Sequence, residues 1–125
     1  EFRHPDETVL EVLDGQLRQE VQAIAEKIGL QLKLEQIFQY APVAFDADCI
    51  ERVEQAATEL GYSQQRMISG AGHDACYLSK VAPTSMIFVP CVDGLSHNEA
   101  EHIHPQWSEA GANVLLLAML AKAAA

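Results

Sequence analysis

Residues 82–94 run Ala82-Pro83-Thr84-Ser85-Met86-Ile87-Phe88-Val89-Pro90-Cys91-Val92-Asp93-Gly94, and the block from Met86 to Val89 inside them is wholly apolar. A short run without polar alternation suits a parallel strand covered on both faces. Upstream, Ile50, Val53, Ala57 and Leu60 form a helical stripe with Asp46 or Asp48 as its cap and Gly61 as its close. A short strand near Arg66 to Ile68, a glycine-rich turn and a helix from about Asp74 to Val81 come next. Downstream, a last helix begins near Pro105 and continues through Trp107, Ala110, Val114, Leu117 and Leu120. Helix and strand alternate, so the expected fold class is α/β.

The earlier part of the chain has a different pattern. After Phe2-Arg3-His4-Pro5-Asp6, which reads as a strand ending at a turn, Leu10, Leu13, Leu17, Val21, Ile24 and Ile28 recur at three- and four-residue steps up to Gly29. This predicts an amphipathic helix with an acidic first turn and a glycine stop. Leu30, Leu32 and Leu34 then alternate with Gln31, Lys33 and Glu35, which predicts a strand with one face buried and the other wet. Two strands and one helix make an incomplete α+β unit. The stretch from Tyr40 to Phe45, with Pro42 inside it, reads as a connection, so the expected division is residues 1–42 and residues 43–125.

Composition narrows the function classes. Eight Lys plus Arg against 18 Asp plus Glu give a formal charge of -10, which repels nucleic-acid phosphates and anionic lipid, so neither is an expected partner. At 49% hydrophobic and 21% charged residues the chain is too apolar for intrinsic disorder. Cys49, Cys76 and Cys91 are odd in number and lack CxxC spacing, so reduced thiols and a cytoplasmic location are expected. The apolar stretch Val114 to Leu120 falls far short of the roughly 20 residues of a membrane span. The start carries no basic region followed by an apolar one and no initiator Met; the expectation is a fragment whose natural N-terminal part is absent.

Two loops carry residues fit for chemistry. Ser69-Gly70-Ala71-Gly72-His73-Asp74-Ala75 lies between an expected strand and an expected helix. Its glycines let the backbone approach a ligand, and the N–H groups of a helix start favour an anion or a polarised carbonyl beside His73. The same local pattern also fits a plain strand-to-helix turn capped by Asp74. The second loop, Cys91 to His102, follows the apolar run, where open α/β sheets bind ligands. His97 offers a nitrogen that zinc, manganese, cobalt or nickel accept. The spacing of His97, His102 and His104 is not a standard ligand pattern, and the cluster equally fits a solvated loop.

These segments taken together resemble one family. Ser69 to Ala75, Ala82 to Pro90, Gly94-Leu95-Ser96-His97-Asn98-Glu99-Ala100-Glu101 and Gly111-Ala112-Asn113-Val114-Leu115 are similar, in order, to the C-terminal signature of the hydantoinase/carbamoylase branch of the M20 metallopeptidases. Phe2 to Asp6 is similar to the lid-domain strand-to-helix junction of the same family. The resemblance implies a catalytic α/β domain interrupted by a four-stranded lid through which subunits dimerise, two divalent metal ions, and attack of a bridging water on a ureido or amide carbonyl. It also implies that residues 1–42 are the end of the lid and residues 43–125 the end of the catalytic domain.

Residue by residue, His97 resembles the metal ligand supplied by the family's C-terminal half. Gly72 and His73 resemble its pair at the substrate, and Arg3 resembles the lid arginine that clamps the substrate carboxylate, a task suited to a planar bidentate donor. The general-base glutamate and the other metal ligands of the family lie before the lid and have no counterpart here, so the fragment is expected to be inactive alone. Asp93, Glu99, Glu101, His102 and His104 receive no family role. The implied activity is hydrolysis of small N-carbamoyl-L-amino acids to carbon dioxide and ammonia. Allantoate amidohydrolase is the alternative within the family, a non-catalytic oligomerisation or binding module the alternative outside it, and an M20 aminopeptidase a third option.

Overall fold

A computed structural model of the chain describes residues 1–124. Four helices form: α1 (Glu7–Ile28), α2 (Ala47–Glu59), α3 (Ala75–Leu78) and α4 (Pro105–Ala123), with a single 3-10 turn at Val92–Gly94. The described residues fall into two compact units. The first comprises Glu1–Ala44 with Ile68–Ala71, and the second comprises Phe45–Met67 with the chain from Gly72 onward.

Local chemistry sets the helix ends. In the first unit the Asp6 carboxylate accepts the Thr8 N–H at 2.9 Å and so satisfies one of the free donors of the first α1 turn. At the other end Gly29 adopts φ 71°, a conformation in which a β-carbon is costly, and its N–H returns to the last helical carbonyls. The stripe expected from the sequence is present on α1, but only Ala25 is buried. Ile24 and Ile28 stay exposed.

The second unit is organised by α2 packed on α4. Ala56 and Ala57 of α2 meet Val114 and Ala118 of α4, with Val53, Ile87 and Leu117 partly buried around them. Small residues let the helix axes approach closely. Asp46, the first of the two expected caps, accepts the Cys49 N–H at 2.9 Å, and its own N–H donates to the Thr84 carbonyl at 2.9 Å. Charge links the other side: Lys122 reaches the Asp48 carboxylate at 2.5 Å, and the Arg52 guanidinium joins Asp48 at 3.0 Å to the Ala121 carbonyl at 2.9 Å. Pro105 opens α4, where a missing N–H costs nothing.

The expected strands are the main departure. Among the described residues none of the segments at the opening, at Leu30 to Leu34, at Arg66 to Ile68 or at Met86 to Val89 forms a strand. A strand exists only where a neighbour supplies ladder hydrogen bonds, and no described segment pairs with these. Leu30, Leu32 and Leu34 are 65%, 37% and 41% exposed, so the predicted buried face has no cover. The Met86 to Val89 run is covered on one side only. Ile87 enters the helix-pair core and Val89 abuts Gly111, whereas Phe88 is exposed. The helix expected from Asp74 to Val81 is a single turn. Beyond it Lys80 and Val81 donate to carbonyls three residues back, while the Ser79 hydroxyl takes up the Cys76 carbonyl and competes with the helical pattern.

Candidate functional site

Arg3 lies in the first unit. Its guanidinium donates through Nε to the Glu1 carboxylate and through Nη1 to the Gly70 carbonyl. The hydrogen bond and charge of Arg3 hold the Glu1 carboxyl below its ordinary range, and Glu1 in turn holds the guanidinium pKa up. The Ser69 hydroxyl shapes the same loop by accepting the Ala71 N–H at 3.2 Å.

Gly72 and His73 begin the second unit's share of that loop. Gly72 is exposed, with nothing within 4 Å of where a β-carbon would stand. The His73 carbonyl accepts the Cys76 N–H at 2.9 Å at the entry to α3, and its ring meets Phe88 edge-on with centroids 5.4 Å apart. His73 is thereby tied to the apolar run that precedes the second loop. Asp74 makes no side-chain cap, so the plain capped turn is not what forms here.

The second loop is closed at its base by the Val92 N–H donating to the His102 carbonyl at 2.8 Å. His97 stands in its exposed middle with φ 56°, a left-handed backbone that costs a residue with a β-carbon on the order of 1 kcal/mol. Its N–H donates to a Glu101 carboxylate oxygen at 2.9 Å. The other Glu101 oxygen faces Cys91 Sγ at 3.7 Å, and burial together with that negative charge pushes the Cys91 thiol up. The His97 imidazole has no hydrogen-bond or ring partner among the described residues, and is open to a ligand. His102 and His104 differ: their rings meet edge-on with centroids 6.1 Å apart, and His104 also meets Trp107 edge-on at 4.5 Å.

The chain matches the profile of peptidase family M20/M25/M40 over residues 3–121. The chain belongs to that family. This M20 chain is 47% identical over 120 residues to an N-carbamoyl-L-amino-acid amidohydrolase of Rhizobium meliloti, a match covering 96% of the chain and 29% of the relative. It is 31% identical over 99 residues to the allantoate amidohydrolase of Escherichia coli, covering 79% of the chain and 24% of that enzyme. Among solved structures, a hydantoinase/carbamoylase family amidase from Burkholderia multivorans is 61% identical with a TM-score of 0.91, covering 94% of this chain and 29% of that one. The chain thus spans a little under a third of the length of the relatives it matches.

An imidazole such as that of His97 is a chemically suitable donor to a divalent ion. Among the described residues no group of three or more His, Cys, Asp or Glu side chains is placed to hold an ion. A single imidazole such as that of His97 does not hold an ion by itself. No described helix is long and apolar enough to cross a membrane. Glu101 is the residue that sequence reasoning passed over. Its placement four residues after His97 was the available signal, but only the left-handed turn brings its carboxylate back to the histidine N–H.

Proposed function

We propose that this chain is part of a metal-dependent amidohydrolase that cleaves the carbamoyl C–N bond of N-carbamoyl-L-amino acids, releasing carbon dioxide and ammonia. The observation that carries this reading is the 47% identity, over 96% of the chain, to an enzyme named for that substrate class. Two bound divalent ions (zinc, manganese, cobalt or nickel) would supply Lewis-acid polarisation and a water of lowered pKa. In this reading residues 1–42 end a lid through which two subunits dimerise, residues 43–125 end an α/β catalytic domain, and the enzyme works in the cytoplasm on a small ureido substrate.

Each residue then has a defined task. His97 holds one ion through a ring nitrogen. Arg3 grips the substrate carboxylate, a task suited to a planar bidentate donor. The Gly72 N–H and the His73 imidazole meet the ureido oxygen, where hydrogen-bond donors stabilise the charge that develops during attack. The general base lies outside these residues, so purified 1–125 is expected to release no ammonia from either substrate class.

The test is an ammonia-release assay and metal analysis on the complete enzyme. N-carbamoyl-L-amino acids are expected to give the higher kcat/KM. His97→Ala is expected to lower metal content, while His102→Ala and His104→Ala leave it intact. Allantoate is the second reading, favoured by the 31% identity to the Escherichia coli enzyme, and a higher kcat/KM on allantoate would select it. Full metal content without turnover of either substrate would point to a non-catalytic binding or oligomerisation role.

A further inference from the structure

We infer that Glu101 is the positioning residue of His97: its carboxylate holds the histidine backbone in the left-handed conformation and so sets the direction in which the imidazole is offered to a metal ion. The inference rests on the proposed reading of His97 as a ligand and deepens it.

Three observations combine. His97 has φ 56°, and its N–H is taken by Glu101 Oε2 at 2.9 Å, a charge-assisted bond formed in that conformation. The carboxylate is itself placed by the turn between the two residues, because the Asn98 carbonyl accepts the Glu101 N–H and Asn98 Oδ1 accepts the Ala100 N–H, both at 2.9 Å. Its second oxygen faces Cys91 Sγ at 3.7 Å, and the Val92 to His102 backbone bond closes the loop behind it. One carboxylate therefore joins the entry of the loop to its middle. A metal site loses affinity when a ligand's orientation is left to thermal averaging, and partners one step behind the ligand typically tune affinity by about 10- to 100-fold. Here the support acts on the main chain of the ligand, which leaves both ring nitrogens unencumbered.

The first arm of the test uses the 15N-labelled 125-residue chain. The His97 amide is expected to show slowed hydrogen exchange and the strong intraresidue HN–Hα NOE of a left-handed residue. Glu101→Ala should speed that exchange about tenfold, the equivalent of one lost hydrogen bond, and weaken the NOE, whereas Glu101→Gln keeps an acceptor oxygen and preserves both. The second arm measures zinc affinity of the complete enzyme, where Glu101→Ala should cost about 10- to 100-fold and Glu101→Gln little. A general loss of stability would strike both variants alike and would not be rescued by glutamine. An unchanged His97 amide in Glu101→Ala overturns the inference, as does unchanged zinc affinity in a protein whose His97→Ala variant has lost zinc. Full zinc retention by His97→Ala would instead refute the ligand reading itself and take the inference with it.

Discussion

Arg3 donates through Nε to the Glu1 carboxylate and through Nη1 to the Gly70 carbonyl, while its proposed task calls for a bidentate grip on one carboxylate. Lysine would bring a compact charge without the fork. In the complete enzyme Arg3→Lys should lower kcat/KM for carboxylate-bearing substrates by about 10- to 100-fold, the range of a charged hydrogen bond, with metal content unchanged. Steady-state kinetics beside metal analysis checks both halves. Gly111 gives a prediction of another kind. A β-carbon there would stand 2.6 Å from Val89 Cγ1, and the short branched valine has little room to yield. Helix propensity favours alanine over glycine by about 1 kcal/mol, yet overpacking typically costs 1–3 kcal/mol, so Gly111→Ala should destabilise or at best break even. Denaturant unfolding decides it; a clear gain in stability would mean that the 86–89 segment moves freely against α4. Arg3, Gly72, His73 and His97 could be named from motifs, because a motif records side chains in order. The part proposed for Glu101 could not, because it depends on one backbone angle at His97.

α2 and α4 owe their registry to both apolar packing and charge. Asp48 accepts from Arg52 and from Lys122, and these hydrogen bonds bring its pKa down to about 2. A carboxylate whose folded pKa lies below its ordinary value near 3.8 stabilises the folded state above that ordinary value, and the contribution fades as pH falls toward 2. Helix signal followed during thermal melts should therefore show the midpoint falling between about pH 4 and pH 2. Asp48→Asn should flatten that part of the profile. An identical acid profile in the variant would show that the Asp48 charge adds nothing to the pairing of the two helices. Since the group is solvent-exposed, raised salt should weaken the effect. The helix ends in this pair were legible in the sequence, as Asp46 and Pro105 act on backbone groups within one turn of themselves.

At the scale of the whole molecule the most consequential property is uncovered apolar surface. Beyond its contact with α2, α4 leaves Leu115, Leu116, Met119 and Leu120 exposed, and α1 leaves Leu17, Ile24 and Ile28 exposed. An open groove beside α4, lined by Ile87, Val89, Leu115 and Met119 among others, continues the first of these faces. Contiguous apolar surface of this kind drives association. The isolated chain is expected to self-associate in a concentration-dependent way by light scattering, and a monodisperse monomer at high concentration would contradict this. Substituting the Leu116 and Leu120 pair by Gln should shift the equilibrium toward monomer without loss of helix signal, since neither residue belongs to the α2 to α4 core.

The sequence by itself determined the three long helices, several of their ends and the succession of motifs, since each depends on residues three or four positions apart that interact through backbone groups already adjacent. Asp6, Gly29, Asp46 and Pro105 needed nothing distant to act. Tertiary structure alone decided which apolar runs are covered and which polar atoms meet. Met86 to Val89 and Leu30 to Leu34 have the composition of strands, but pairing and burial require a neighbour, and among the described residues that neighbour is lacking. The Arg3 bond to the Gly70 carbonyl likewise joins positions that no local periodicity relates, so it is formed by the fold.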